Sequence, residues 1–133
     1  MGRVFFNTRK NVKAITAAYT VLASDSGTNF MVSGGSYTIT LPTGTDLIDG
    51  LYYKFINSAT PGGDIEVDAG TVDIVGVCQD AGNGAGCSTT NTPVSDIIIE
   101  VAGDAGDWFD LFYDGTKWYF TAMAGVDTAF TTT

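Results

Sequence analysis

The sequence predicts an all-β fold, a single β-sandwich or jelly-roll-like domain with an extended N-terminal arm. The 133-residue chain contains 17 glycines, which disfavour helices, and it is rich in Thr, Val, Ile, Phe and Tyr, which favour strands. Several segments alternate apolar and polar residues with a period of two. Turn residues recur about every 8 to 12 positions, a spacing typical of small sandwiches and barrels.

Residues 1–13 are predicted to form the arm, and residues 14–133 the folded domain. Val4, Phe5 and Phe6 are followed by a polar, basic run that has no turn signal and no sustained period. An extended arm of this length reaches about 40 Å. The alternative is an edge strand that folds onto its own domain.

The strand pattern begins at residue 14. The predicted strands before the last hairpin are 19–22, 29–32, 37–41, 51–56, 65–67, 72–77 and 96–101. In the segment 96–101, Ile97, Ile99 and Val101 are expected to point inward. Residues 130–133 are expected to form a short tail. With the last hairpin, the chain has eight or nine predicted strands.

The last hairpin is predicted around Asp114-Gly115, a dipeptide that suits a two-residue type I′ turn between the two aromatic runs. We expect Tyr113 to pair with Thr116, which places Leu111 opposite Trp118. The residues expected on the core face are Phe109, Leu111, Tyr113, Trp118 and Phe120.

The opposite face of the hairpin is unusually aromatic for a surface in contact with water. It receives Trp108, Asp110, Phe112, Lys117 and Tyr119. The preferred interpretation is an oligomer interface at Trp108, Phe112 and Tyr119, or packing under a loop. The alternative is a platform on which sugar rings stack, formed by Trp108, Tyr119 and Tyr52.

The charge of the chain, -9 in total, is unevenly distributed. The arm holds four basic residues, Arg3, Arg9, Lys10 and Lys13, and no acidic residue, which gives +4. The body holds two basic residues against all fifteen acidic ones, which gives -13. Such a body repels nucleic acid and anionic membranes, whereas the arm attracts an acidic partner surface or a phosphate. Neither nucleic acid nor membrane is expected as a partner.

Targeting signals are not expected either. No apolar stretch approaches the roughly 20 residues of a membrane-spanning helix, and the N-terminus lacks the apolar region of a signal peptide. We expect a soluble protein that is made in the cytoplasm.

Enzymatic chemistry is not expected, because the chain contains no histidine. Histidine is the commonest general base and the commonest metal ligand, and both Ser-His-Asp and Cys-His mechanisms require it. Most acidic residues fall at turns or alternate outward on strands, where solubility explains them. Asp104, Asp107 and Asp110 lie close together in the sequence and have the chemistry of calcium ligands, but their spacing is not that of an EF-hand. No cofactor and no metal is expected.

Cys78 and Cys87 bracket a glycine- and alanine-rich loop. A disulfide between them would stabilise the fold by about 2.5 kcal/mol through chain entropy. The alternative is a pair of free thiols in a protein assembled in a reducing cytosol. The sequence leaves the two alternatives open.

Four segments give the chain a resemblance to a known class of proteins. They are Thr20-Val-Leu-Ala-Ser-Asp-Ser-Gly27, Asn29-Phe-Met-Val32, Tyr37-Thr-Ile-Thr-Leu-Pro42 and Leu111-Phe-Tyr-Asp-Gly-Thr-Lys-Trp118. In these segments the chain resembles small β-modules of tailed bacteriophage particles, namely head decoration (cement) proteins and segments of tail fibres. The resemblance covers residues 19–120, and the segment from Cys78 to Cys87 has no counterpart in it.

The resemblance implies a virion structural protein on the phage head surface. Such a protein binds the major capsid protein, commonly as a homotrimer on the symmetry axes of the shell, and stabilises the capsid. The residues expected to bind the capsid are Arg3, Val4, Phe5, Phe6, Arg9, Lys10 and Lys13. The alternative is a receptor- or glycan-binding module of a tail fibre or adhesin.

Overall fold

The structure is a computed structural model that describes residues 9–80 and 90–133. In these residues it contains twelve strands and two short 3-10 segments. The strands are β1 (Asn11–Ile15), β2 (Tyr19–Thr20), β3 (Thr28–Val32), β4 (Tyr37–Thr40), β5 (Tyr52–Asn57), β6 (Ile65–Asp68), β7 (Ile74–Asp80), β8 (Thr90–Val94), β9 (Asp96–Ile99), β10 (Trp108–Tyr113), β11 (Trp118–Ala124) and β12 (Phe130–Thr132). The 3-10 segments are Ala23–Asp25 and Gly44–Asp46.

The strands form two sheets that pack on each other, which confirms the expected all-β sandwich. The seven-stranded sheet has the order β1-β3-β5-β10-β11-β7-β8, and the five-stranded sheet has the order β12-β9-β6-β4-β2. The inner faces of both sheets contribute to one hydrophobic core. Each sheet keeps a second face outside the core, and these outer faces are the broad surfaces of the molecule.

The first six strands alternate between the two sheets. Strands β1, β3 and β5 are therefore parallel neighbours in one sheet, and β2, β4 and β6 are parallel neighbours in the other. Parallel neighbours need a crossover connection, and here a strand of the opposite sheet supplies it. In the seven-stranded sheet, the antiparallel pair of β5 and β10 joins β1-β3-β5 to β10-β11-β7-β8.

The core is built on the period of two that the sequence shows. Along β11, buried and exposed residues alternate without interruption. Rings from four strands form a continuous row, in which Phe55 stacks on Phe30 at 5.2 Å and on Phe109 at 5.0 Å between ring centroids. Phe130 of β12 meets Phe109 edge-on at 5.5 Å. This row joins the two sheets through aromatic contacts of favourable geometry.

The predicted register of the last hairpin is wrong by two residues. Tyr113 pairs with Trp118, not with Thr116. The reason is the Asp114 carboxylate, which accepts hydrogen bonds from the backbone N–H of Thr116 at 2.8 Å and of Lys117 at 2.9 Å. These bonds close a four-residue loop in place of the two-residue turn. Because the shift is even, the predicted core face keeps all its residues.

Two further predictions differ from the structure. Val101, expected to point inward, is 53% exposed, because β9 ends at Ile99 and the chain turns where Gly103 N–H donates to Glu100 C=O. The expected tail is strand β12, which pairs with β9 and buries Phe130 in the core. The apolar side chain of Phe130 explains why this segment folds back.

The predicted boundary between arm and body falls inside β1. Residues 1–8 lie outside the described part of the chain, and Arg9 and Lys10 are exposed. Residues 11–13 belong to β1, the edge strand that pairs with β3. Ile15 at the end of β1 is buried and holds the strand to the core. The last three residues of the predicted arm are thus part of the sheet.

Candidate interaction face

The outer face of the seven-stranded sheet carries the residues predicted to form an oligomer interface. Alternation along β10 buries Phe109, Leu111 and Tyr113, so that Trp108 and Phe112 project to the other side. The same alternation in the neighbouring strands defines what we call the outer face. Its residues are Val12, Ala14, Asn29, Met31, Tyr52, Lys54, Ile56, Val75, Val77, Gln79, Trp108, Asp110, Phe112, Tyr119, Thr121 and Met123.

The outer face is largely apolar, although it is open to solvent. Its five large, exposed apolar side chains are Val12 at 66%, Val77 at 56%, Met123 at 47%, Phe112 at 45% and Tyr119 at 41% of their full exposure. Single exposed apolar residues are ordinary, but several on one face of a sheet indicate a candidate interaction surface.

Register arranges these residues in three rows across the strands. The first row is Val75, Tyr119, Phe112 and Tyr52. The second is Val77, Thr121, Asp110, Lys54, Asn29 and Val12. The third is Gln79, Met123, Trp108, Ile56, Met31 and Ala14. The outer face is therefore a polar row flanked by two apolar rows.

The polar row has a charged centre. Lys54 and Asp110 are direct neighbours on β5 and β10. The Lys54 ammonium lies 3.5 Å from the centroid of the Trp108 ring, a close cation–π contact. The Tyr52 hydroxyl donates to Asp110 Oδ2 at 3.1 Å. Burial raises the pKa of Tyr52, and the Asp110 carboxylate raises it further.

The outer face of the five-stranded sheet has the opposite character. Apart from Ile98, its cross-strand neighbours are threonines and acids, such as Thr38 beside Glu66 and Asp68 beside Asp96. The Thr38 hydroxyl donates to Glu66 Oε2 at 2.9 Å. One broad surface of the sandwich is therefore mainly polar and acidic, and the other is largely apolar.

All three predicted interface residues lie on the outer face, but only two of them are direct neighbours. Phe112 and Tyr119 are cross-strand partners, whereas Trp108 lies two rows away beside Met123. Sequence reasoning missed Met31, Ile56 and Val12 on the same face. Each of the three is an apolar residue at an outward position of its strand, and this pattern is visible in the sequence. Only the order of the strands in the sheet places them on the same face as Trp108 and Phe112.

Lys13, one of the predicted capsid-binding residues, contacts the body of its own chain. Its ammonium donates to the Tyr19 hydroxyl, lies 4.2 Å from the centroid of that ring, and is 3.7 Å from Asp25 Oδ1. The Tyr19 hydroxyl donates in turn to Asp25 Oδ2 at 2.7 Å. The hydrogen bond to Tyr19 raises the pKa of Lys13. Arg3, Val4, Phe5 and Phe6 lie outside the described residues.

A shallow cleft of about 360 Å³ opens at one end of the outer face, between Trp108 and Met123. Its floor includes Asp107, a buried carboxylate that accepts hydrogen bonds from Asp104 N–H at 2.8 Å and Gly125 N–H at 2.6 Å. These bonds fix the two loops, which is a structural role. Within residues 9–80 and 90–133, no three acidic or cysteine side chains are grouped to hold a metal ion.

The cysteines fall at the boundary of the described residues. Cys78 lies in β7 and is disulfide-bonded. The chain contains one other cysteine, Cys87, which lies outside the described residues.

No family model, no curated protein and no solved structure matches the chain. In the described ranges, no helix has the length and apolar character needed to cross a lipid bilayer.

Proposed function

We propose that this chain is a virion structural protein that binds and stabilises a phage capsid, as a head decoration protein, and that it associates with itself. It acts by binding and not by catalysis. The observation that carries the proposal is the outer face of the seven-stranded sheet, an exposed apolar surface opposite a polar and acidic one. A protein with one apolar broad surface is suited to assembly, because burying that surface releases ordered water.

Self-association is supported by the chemistry of the outer face. Aromatic and methionine side chains are enriched in the centres of protein interfaces, and charged residues are depleted there. Phe112, Tyr119 and Met123 fit this composition, whereas Lys54 and Asp110, the charged pair in their midst, depart from it. The homotrimer implied by the phage resemblance is part of the proposal for the assembled capsid.

Capsid binding is assigned to the N-terminal segment. Residues 1–8 contain Val4, Phe5 and Phe6, and Arg9 and Lys10 follow with exposed side chains. The segment precedes β1, which is the edge strand of the seven-stranded sheet. Basic residues beside apolar ones can bind an acidic, partly apolar surface such as that of a capsid protein.

The test is co-sedimentation with undecorated shells assembled from the major capsid protein of the same virus. The full chain is expected to co-sediment, and more weakly at high salt because screening weakens the attraction of the basic segment. Phe5→Ala combined with Phe6→Ala is expected to reduce binding at least about tenfold, since two apolar anchors are lost.

The matched control is Asn7→Ala combined with Thr8→Ala, which changes the same segment and should leave binding unchanged. Circular dichroism is expected to show both double variants folded, because the substituted residues precede β1. Wild-type chain that stays in the supernatant would contradict the proposal. Saturable binding to a host polysaccharide in its place, lost in Trp108→Ala, would favour the glycan-binding alternative.

A further inference from the structure

The outer face is close to self-complementary. In the order β1-β3-β5-β10-β11-β7-β8, three strands lie on one side of the line between β5 and β10, and four lie on the other, where β8 is the outermost strand and has no counterpart. A two-fold axis laid along that line, above the sheet, places β5 of one copy over β10 of another, β3 over β11, and β1 over β7. Two sheets packed in this way are about 10 Å apart, and their strand directions differ by no more than about 30°.

The two-fold operation brings matching side chains opposite each other. In the apolar third row, Met123 lies over Met31 of the second copy, and Trp108 over its Ile56. In the first row, Phe112 lies over Tyr52. At the ends of the second row, Val77 lies over Val12, and these are the two most exposed valines of the face. Apolar groups thus meet apolar groups at these four positions. At the edges of the face, Gln79 lies over Ala14, and Tyr119 and Val75 lie over positions before the starts of β3 and β1.

The charged centre gives the strongest match. Because Lys54 and Asp110 are neighbours on either side of the axis, the operation places Lys54 of each copy over Asp110 of the other. Beside them, Thr121 lies over Asn29. Charges buried in an interface are tolerated when they are paired, and here both charges are paired across the axis.

We infer that the outer face pairs with the outer face of a second copy about this two-fold axis. The inference rests on the self-association in the proposed function and specifies its partner and its geometry. An interface of a surface with itself joins copies in twos. The expected assembly in solution is therefore a dimer, and a trimer on the capsid would need a different contact.

The size of the face sets the expected strength of the dimer. Six strands spaced about 4.8 Å apart span about 24 Å, and six residues along a strand span about 20 Å, which gives about 500 Å² per copy. This is at the small end of specific interfaces. We therefore expect a dimer that dissociates on dilution.

The test is a charge exchange, read as mass by analytical ultracentrifugation. Lys54→Asp places aspartates opposite each other at both contacts, and Asp110→Lys places lysines there, so each variant alone should dimerise at least about tenfold more weakly. An equimolar mixture of the two variants restores opposite charges at both contacts and should form heterodimers. The double variant, with both substitutions, should form homodimers again.

The matched control is Asp127→Lys, which makes the same charge change in an exposed loop after β11 and should dimerise like the wild-type chain. Recovery in the mixture cannot come from misfolded variants, so it excludes loss of folding as the cause of weak dimers. A monomeric wild-type chain at every concentration, a trimer, or a mixture that stays monomeric would overturn the inference.

Failure of this inference and failure of the proposed function give different results. If the wild-type chain binds shells but the charge exchange has no effect on mass, the two-fold pairing is wrong and capsid binding stands. If the mixture recovers dimers but no form of the chain sediments with shells, the pairing stands and the capsid assignment is wrong.

Discussion

Asp114 shows how one side chain determines the register of two strands. Its carboxylate accepts hydrogen bonds from the backbone of Thr116 and Lys117 and from the Thr116 hydroxyl, at 2.7 to 2.9 Å. Aspartate is common in such loops because its short side chain can bond the backbone two or three residues ahead. The four-residue loop that results fixes which residues of β10 and β11 face each other.

The same hydrogen bonds predict a dependence of stability on pH. The Lys117 N–H, followed by the Thr116 hydroxyl and N–H, holds the pKa of Asp114 well below its ordinary value of 3.8. The stabilisation is therefore complete above that ordinary value and is lost as the pH falls through the lower pKa of the folded chain. We expect Asp114→Asn to be less stable than wild type at neutral pH, and the difference to shrink in acid.

The measurement is the urea midpoint at neutral pH and in a series of acidic buffers. Asp127→Asn, in an exposed loop, is the matched control and should differ little from the wild-type chain throughout the series. A difference between Asp114→Asn and wild type that stays constant in acid would contradict the role assigned to the charge.

Among the elements, β7 and β11 show how closely two strands pack. A Cβ atom at Gly76 of β7 would lie 2.0 Å from the Phe120 carbonyl oxygen and 2.6 Å from a carbon of the Phe120 ring. Neither atom can move away easily to make room for a Cβ atom, because the first belongs to the backbone of β11 and the second to a buried core residue. Glycine is therefore required at this position of the strand by the approach of its neighbour.

Gly76→Ala is expected to destabilise the fold by about 3 kcal/mol, the upper part of the usual range for overpacking, because the two strands must move apart. Gly62→Ala is the matched control, since a Cβ atom there would come no closer than 3.9 Å to another group. Urea denaturation of both variants measures the difference. Equal midpoints for the two variants would show that β7 can move aside at no cost.

At the scale of the whole molecule, the winding of the chain brings distant segments together. The outer face takes residues from β1, β3, β5, β7, β10 and β11, which span almost the entire chain. The central pair of β5 and β10 is separated in sequence by strands β6 to β9. The charged centre and both apolar rows exist only when these strands have met.

Folding is accordingly expected to be slow, in the range of milliseconds to seconds, because contacts between distant segments must form before they stabilise the fold. Trp118 is fully buried and reports on the core, so refolding can be followed by fluorescence in a stopped-flow instrument. The Trp108→Phe variant removes the second tryptophan and isolates that signal. Refolding within microseconds would contradict the expectation.

The fold class, the position of most strands and the core residues of the last hairpin could all be predicted from local sequence patterns. Alternation in the segment 96–101 correctly placed Ile97 and Ile99 in the core, because the two faces of a strand are set by local geometry. The same rule was wrong for Val101, where a turn formed by Gly103 ends the strand. Local patterns determine faces, but they do not determine where pairing ends.

Which strands are neighbours could not be predicted from the sequence and is known from the folded structure. The sequence showed that Trp108, Phe112 and Tyr119 lie on the outward side of the last hairpin. It did not show that Met31, Ile56 and Val12 lie on the same face of the sheet. Nor did it show the position of Lys54 beside Asp110. Strand pairing depends on backbone hydrogen bonds, which every residue can accept and every residue except proline can donate, and so the residues themselves carry little information about their partner. The order of the strands follows from how the chain winds between two sheets to bury one common core.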